Sequence, residues 1–175
     1  QLGERQAGIF AMALNYSLFF AQLAFWGLDQ ILARDIFSDK NIEREILGFF
    51  LIIRSTATFG IIIIYLFFVN FIQKNPIYLL NILNIAGINI FTESLLRFSF
   101  NIYNSFGKSK YTVYVSIFSG ITKIFFITVI YFTNIQIEFI LWSIIISNLL
   151  SLFVSFYFII IKFPIPKFSQ FPRFF

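Results

Sequence analysis

The chain has 175 residues, of which 59% are hydrophobic and only 12% charged, with a mean hydropathy of +0.85. A soluble domain carries roughly 25% charged residues, so the composition is that of a membrane protein, and a net charge of +5 with no basic run reports loop positions rather than a nucleic-acid partner. The lack of cysteine and histidine excludes disulfides, thiolate or imidazole metal sites, and Cys-His or Ser-His nucleophile pairs.

Five apolar runs follow one another, at residues 8–33, 46–72, 76–103, 111–133 and 139–161, with a Pro-rich tail over 162–175. Each is long enough to cross ~30 Å of hydrocarbon as a helix, and helix is what a lipid-embedded backbone requires. The expected fold class is therefore all-α, a polytopic transmembrane helix bundle. Asn41 with Glu43 and Glu45 marks an acidic, capped start to the second run, and Asn75-Pro76 suits the first turn of the third. The chain opens at Gln1 without an initiator Met and holds an odd number of spans, so it reads as a piece of a longer protein. The 28 Phe residues read first as lipid-facing filler.

Charge sets the expected topology. One set of loops holds Arg34, Lys40, Arg44, Lys108, Lys110, Lys162, Lys167 and Arg173, while the other holds only Arg5 and Lys74. By the positive-inside rule the first set is cytoplasmic, which leaves Gln1 outside and the C-terminal tail inside.

Polar residues within spans are costly and so carry the functional signal. In the first run Gly8, Asn15, Gln22 and Asp29 recur every seven residues and fall near one helix face, as a helix–helix seam or the wall of a water-filled cavity. Arg54 lies about two turns into the second run, where it can snorkel or face inward. In the third, Asn89, Glu93, Arg97 and Asn101 follow at four-residue spacing, with Glu93 and Arg97 in the favourable order for a helical ion pair, so the stripe is either a structural ion pair or, since the Asn residues extend it both ways, the wall of a polar cavity. Lys123 falls in the middle of the fourth run, beside Thr112, Ser116 and Gly120, too deep to snorkel easily. The fifth carries Ser143, Ser147, Ser151 and Ser155 at strict four-residue spacing, with Asn148, and reads as a close-packing face. Arg54, Arg97 and Lys123 against Glu93 make the deep charge cationic, which favours anions such as phosphates. No Gly-rich phosphate loop or metalloprotease helix motif is present, the short loops cannot hold a catalytic domain, and neither enzyme activity nor a cofactor is expected.

Several segments resemble a known family. Leu2-Gly3-Glu4-Arg5-Gln6-Ala7-Gly8 is similar to the exterior turn before the second helix of polysaccharide exporters. Gly27-Leu28 with Ile31-Leu32-Ala33-Arg34-Asp35-Ile36 is similar to the end of that helix, and Asn101 to Lys110, with its Gly107-Lys108-Ser109-Lys110, resembles the segment after helix four. Asn104-Ser105 departs from the amide-small pair usual there. The resemblance is to the O-antigen repeat-unit branch of the multidrug/oligosaccharidyl-lipid/polysaccharide flippase superfamily.

It implies a multi-pass protein of a bacterial or archaeal cytoplasmic membrane that moves undecaprenyl-diphosphate-linked oligosaccharide by alternating access. The partners implied are the lipid bilayer, the lipid-linked oligosaccharide, and a first helix and second lobe of the parent chain. Arg54, Arg97 and Lys123 would line a cationic substrate path, with Asn15, Gln22, Asp29, Glu93 and Asn101 as its polar lining. A multidrug or cation-coupled exporter of the same superfamily, a membrane-embedded glycan polymerase or transferase, and a non-transporting scaffold are the alternatives.

Overall fold

A computed structural model describes residues 4–24, 43–72, 77–133 and 137–162. Five helices account for nearly all of them: α1 Glu4–Leu23, α2 Glu43–Phe67, α3 Ile77–Ser105, α4 Lys110–Thr133 and α5 Ile137–Lys162. A π-helical turn, Phe68–Ile72, extends α2. The proposed caps at Asn41 and Asn75-Pro76, and the Gly27–Ile36 stretch with Asp29, lie outside the described residues.

The fold is all-α, and α2 to α5 are each long and apolar enough to cross a bilayer, over Leu47–Phe71, Tyr78–Ser105, Lys110–Ile130 and Glu138–Lys162. That is the pattern of a multi-pass membrane protein. Among the described residues four helices qualify where the sequence leads one to expect five. The described part of the first is too polar, because Glu4, Arg5, Gln6, Asn15 and Gln22 fall within its 20 residues.

Helix α3 occupies the centre and touches all four others, while α5 lies between α3 and α4 and α1 packs mainly on α3. Two apolar cores stand along α3. Near its start, Ile82, Leu83, Ala86 and Ile90 meet Ala13, Phe20 and Ala21 of α1, Tyr65 of α2 and Leu141 of α5. Near its end, Leu96, Phe98, Ile102 and Tyr103 meet Leu47 and Phe50 of α2, Val115 of α4, and Leu152 and Ile159 of α5. The periphery is apolar and uncovered, with Phe71, Phe132 and Phe153 more than two-thirds exposed, as lipid-facing side chains should be.

Lipid supplies no hydrophobic drive between helices, so they are held by close packing and hydrogen bonds. Gly87 lets Tyr65 lie against the α3 backbone, and the Tyr65 hydroxyl donates to the Leu83 carbonyl at 2.6 Å. At the other end the Tyr103 hydroxyl donates to the Ser155 carbonyl at 2.8 Å. Gly107 closes α3 in the left-handed region (φ 65°), where Lys108 N donates to the Tyr103 carbonyl at 2.8 Å. The resulting turn reverses the chain into α4, and the Lys108 ammonium reaches the Lys162 carbonyl at 2.9 Å, so the turn sits beside the end of α5.

Candidate functional site: a polar layer at mid-depth

Between the two apolar cores every described helix contributes polar side chains at about the same level. Phe91 is the middle residue of α3, and Asn89, Thr92, Glu93, Ser94 and Arg97 surround it. The others bring Ser17 from α1, Arg54 and Thr58 from α2, Ser119, Thr122 and Lys123 from α4, and Ser147, Asn148 and Ser151 from α5. In an upright bundle that level is the bilayer midplane, where an unsatisfied polar group costs most.

One chain of hydrogen bonds joins α1, α3 and α5. Asn89 Nδ2 donates to Ser17 Oγ at 3.3 Å. Asn148 Nδ2 donates to Asn89 Oδ1 at 3.0 Å and to Glu93 Oε2 at 3.4 Å. Arg97 Nε donates to Glu93 Oε1 at 2.9 Å, one turn along α3. Asn89 and Asn148 are buried, the Glu93 side chain is 17% exposed and that of Arg97 39%, so the network runs from the interior to an accessible cation. Among the described residues Asn148 Oδ1 is buried without a hydrogen-bond partner, which leaves one acceptor of the layer unused.

A second cluster fastens α2 to α3. Arg54 is 1% exposed; its Nε donates to Ser94 Oγ at 3.1 Å and its Nη2 to the Ser94 carbonyl at 3.4 Å. Thr58 Oγ1 lies 2.8 Å from the same Ser94 hydroxyl. The guanidinium is thus enclosed within a seam.

On α4, Lys123 is half-buried, beside the Thr122–Ser147 and Ser147–Ser119 contacts that join α4 to α5. Among the described residues it makes no hydrogen bond or ion pair.

The structure therefore brings Glu93 and Arg97 together and sets Arg54 in the neighbouring seam, with Asn101 half-buried one turn beyond Arg97. Asn15 and Gln22 do not join them. Both are exposed, on the face of α1 opposite Ala13, Ser17 and Phe20, so the Gly8-Asn15-Gln22 stripe forms no seam with any described helix. The contact to α3 is made instead by Ser17, which the heptad pattern passes over. Its signal is local: Ala13, Ser17, Ala21 and Ala24 place small residues along one face. All four serines of α5 are buried, and Ser147 and Ser155 bond to opposite neighbours, α4 and α3. Asn148, grouped with them by sequence, is the residue that links Asn89 to Glu93.

Chemically the layer holds one carboxylate, three cations and many amides and hydroxyls. Among the described residues no group of three or more acidic, His or Cys side chains could hold a metal ion. No protein-family model, no curated protein and no solved structure matches this chain.

Proposed function

We propose that the chain belongs to a membrane flippase that translocates undecaprenyl-diphosphate-linked oligosaccharide by alternating access. The observation that carries the reading is the accessible Glu93–Arg97 pair, set at mid-depth and linked through Asn148 and Asn89 to α5 and α1. Secondary transporters bind their substrates near the midplane, between elements that rearrange. The short motifs at Leu2–Gly8 and Asn101–Lys110 support the same reading by resemblance.

In this mechanism Arg97 and Lys123 attract the diphosphate, Arg97 as a fork able to grip two oxygens and Lys123 as a point charge. Glu93 holds the Arg97 guanidinium while the path is empty and yields to phosphate when substrate enters. Asn101, half-buried one turn beyond Arg97, offers hydrogen bonds to sugar hydroxyls. Arg54, enclosed by Ser94 and Thr58, keeps α2 and α3 moving as one body rather than touching substrate. Neither a metal nor a covalent step is involved.

The test is complementation of a flippase-deficient strain by the gene that encodes this chain. Surface polysaccharide should return with the wild type and fall at least tenfold with Arg97→Ala or Lys123→Ala at equal membrane levels. Full activity in the double variant would remove the cationic path. Drug efflux that depends on Glu93 while both cations are dispensable would favour the multidrug alternative.

A further inference from the structure

On the outer side of the α2–α3 pair a groove of about 290 Å³ opens toward the lipid. Phe59 and Leu66 of α2 form one wall, Ile88 and Phe91 of α3 the other, and Gly87 lies at its floor. The single polar lining residue is Asn84. Its Oδ1 accepts from Asn70 Nδ2 at 3.3 Å, and Asn70 Nδ2 also donates to the Leu66 carbonyl at 2.8 Å. Among the described residues the Asn84 Nδ2 group donates to nothing, so two N–H donors stand unspent at one end of an otherwise apolar groove.

Depth indicates what fits. Asn84 and Phe91 are seven residues apart, roughly 10 Å along a helix axis. With Phe91 at the midplane of a hydrocarbon core ~30 Å thick, Asn84 lies about 5 Å below the boundary where lipid ester carbonyls sit. The groove therefore covers most of one leaflet's depth, apolar toward the midplane and donor-bearing toward the headgroups. An ester-linked acyl chain has the matching polarity, with a carbonyl acceptor at its head and hydrocarbon below.

We infer that this groove is a binding site for one acyl chain of a glycerophospholipid, in the leaflet on the Ile77 side, with its ester carbonyl accepting from Asn84 Nδ2. The site stands on the bilayer reading alone and does not depend on what is transported. It gives α2 and α3 a fixed lipid rather than an exchanging one, because an N–H facing hydrocarbon has no water to turn to. Polyprenyl chains lack the ester carbonyl, and a second copy of the chain would fill the groove with side chains instead.

The whole chain, purified in detergent, is offered equal amounts of diester and diether phosphatidylglycerol with the same hydrocarbon chains, and the retained adducts are counted by native mass spectrometry. The wild type should retain the diester over the diether by about threefold or more, the ratio one net hydrogen bond gives. Asn84→Leu should bring the ratio to one, and Asn81→Leu, an exposed amide on the same helix outside the groove lining, should leave it unchanged. Ile88→Trp, which fills the groove, should lower retention of both lipids. Equal retention by the wild type, a preference that survives Asn84→Leu, displacement of both by polyprenyl phosphate, or a lipid-free dimer would each overturn the assignment.

Discussion

Replacing Gly87 with Ala tests how tightly α2 and α3 are joined. A methyl at this position stands 2.9 Å from Cε1 and 3.2 Å from Cδ1 of the Tyr65 ring. The ring has nowhere to go. It is fully buried, its hydroxyl is fixed to the Leu83 carbonyl at 2.6 Å, and Phe20 packs edge-on against it at 5.2 Å. Relief requires moving α2 away from α3, at an overpacking cost of about 1–3 kcal/mol. Ala otherwise improves a helix interior by roughly 0.5–1 kcal/mol over Gly. The net expectation is a loss of about 0.5–2 kcal/mol. Gly60 supplies the matched control, since a methyl there meets nothing within 4 Å and only the helix term remains. Gly60→Ala should therefore gain stability while Gly87→Ala loses it. Reversible unfolding in mixed micelles, followed by circular dichroism, measures both. In the Gly87→Ala background, Tyr65→Leu should cost less than it does alone, because it removes the clash. Equal effects of the two glycine substitutions would refute the close-contact argument.

Two further outcomes follow from the hydrogen bonds within the spans. Tyr103→Phe removes the bonds to the Ser155 carbonyl and hydroxyl, and a double-mutant cycle with Ser155→Ala, which keeps the carbonyl, should show a coupling of about 0.6 kcal/mol from the hydroxyl–hydroxyl contact in the same unfolding assay; zero coupling would mean that the hydroxyl–hydroxyl contact carries no energy. Arg54→Met should lower stability by about 2 kcal/mol or more, because it breaks the enclosed contacts with Ser94, whereas Lys123→Met, at a half-buried site, should leave unfolding unchanged and act only on transport.

The polar layer explains why residues that look alike in sequence differ in role. Arg54, Arg97 and Lys123 all read as deep cations, yet one is enclosed in a seam, one is half-exposed on an ion pair and one stands at the edge of the α4–α5 contact. Helical spacing alone places each on a face of its own helix. Which face meets a neighbour depends on the rotation of every other helix about its axis.

Length and hydropathy by themselves determined that the described residues are all-α and include several helices long and apolar enough to cross a membrane, because an apolar run in lipid has only one way to satisfy its backbone. Spacing within a single helix determined the Glu93–Arg97 pair, whose partners lie one turn apart on one element, and the approximate limits of α2 to α5. Tertiary structure decided everything that joins different helices: that Ser17 rather than Asn15 meets α3, that Asn148 bridges Asn89 and Glu93, and that Tyr65 rests on Gly87. The physical reason is the solvent. In water, burial of an apolar stripe reveals in the sequence which face of a helix turns inward, but in lipid both faces are apolar, and small residues and scattered polar groups choose the seam only when all the helices are in place.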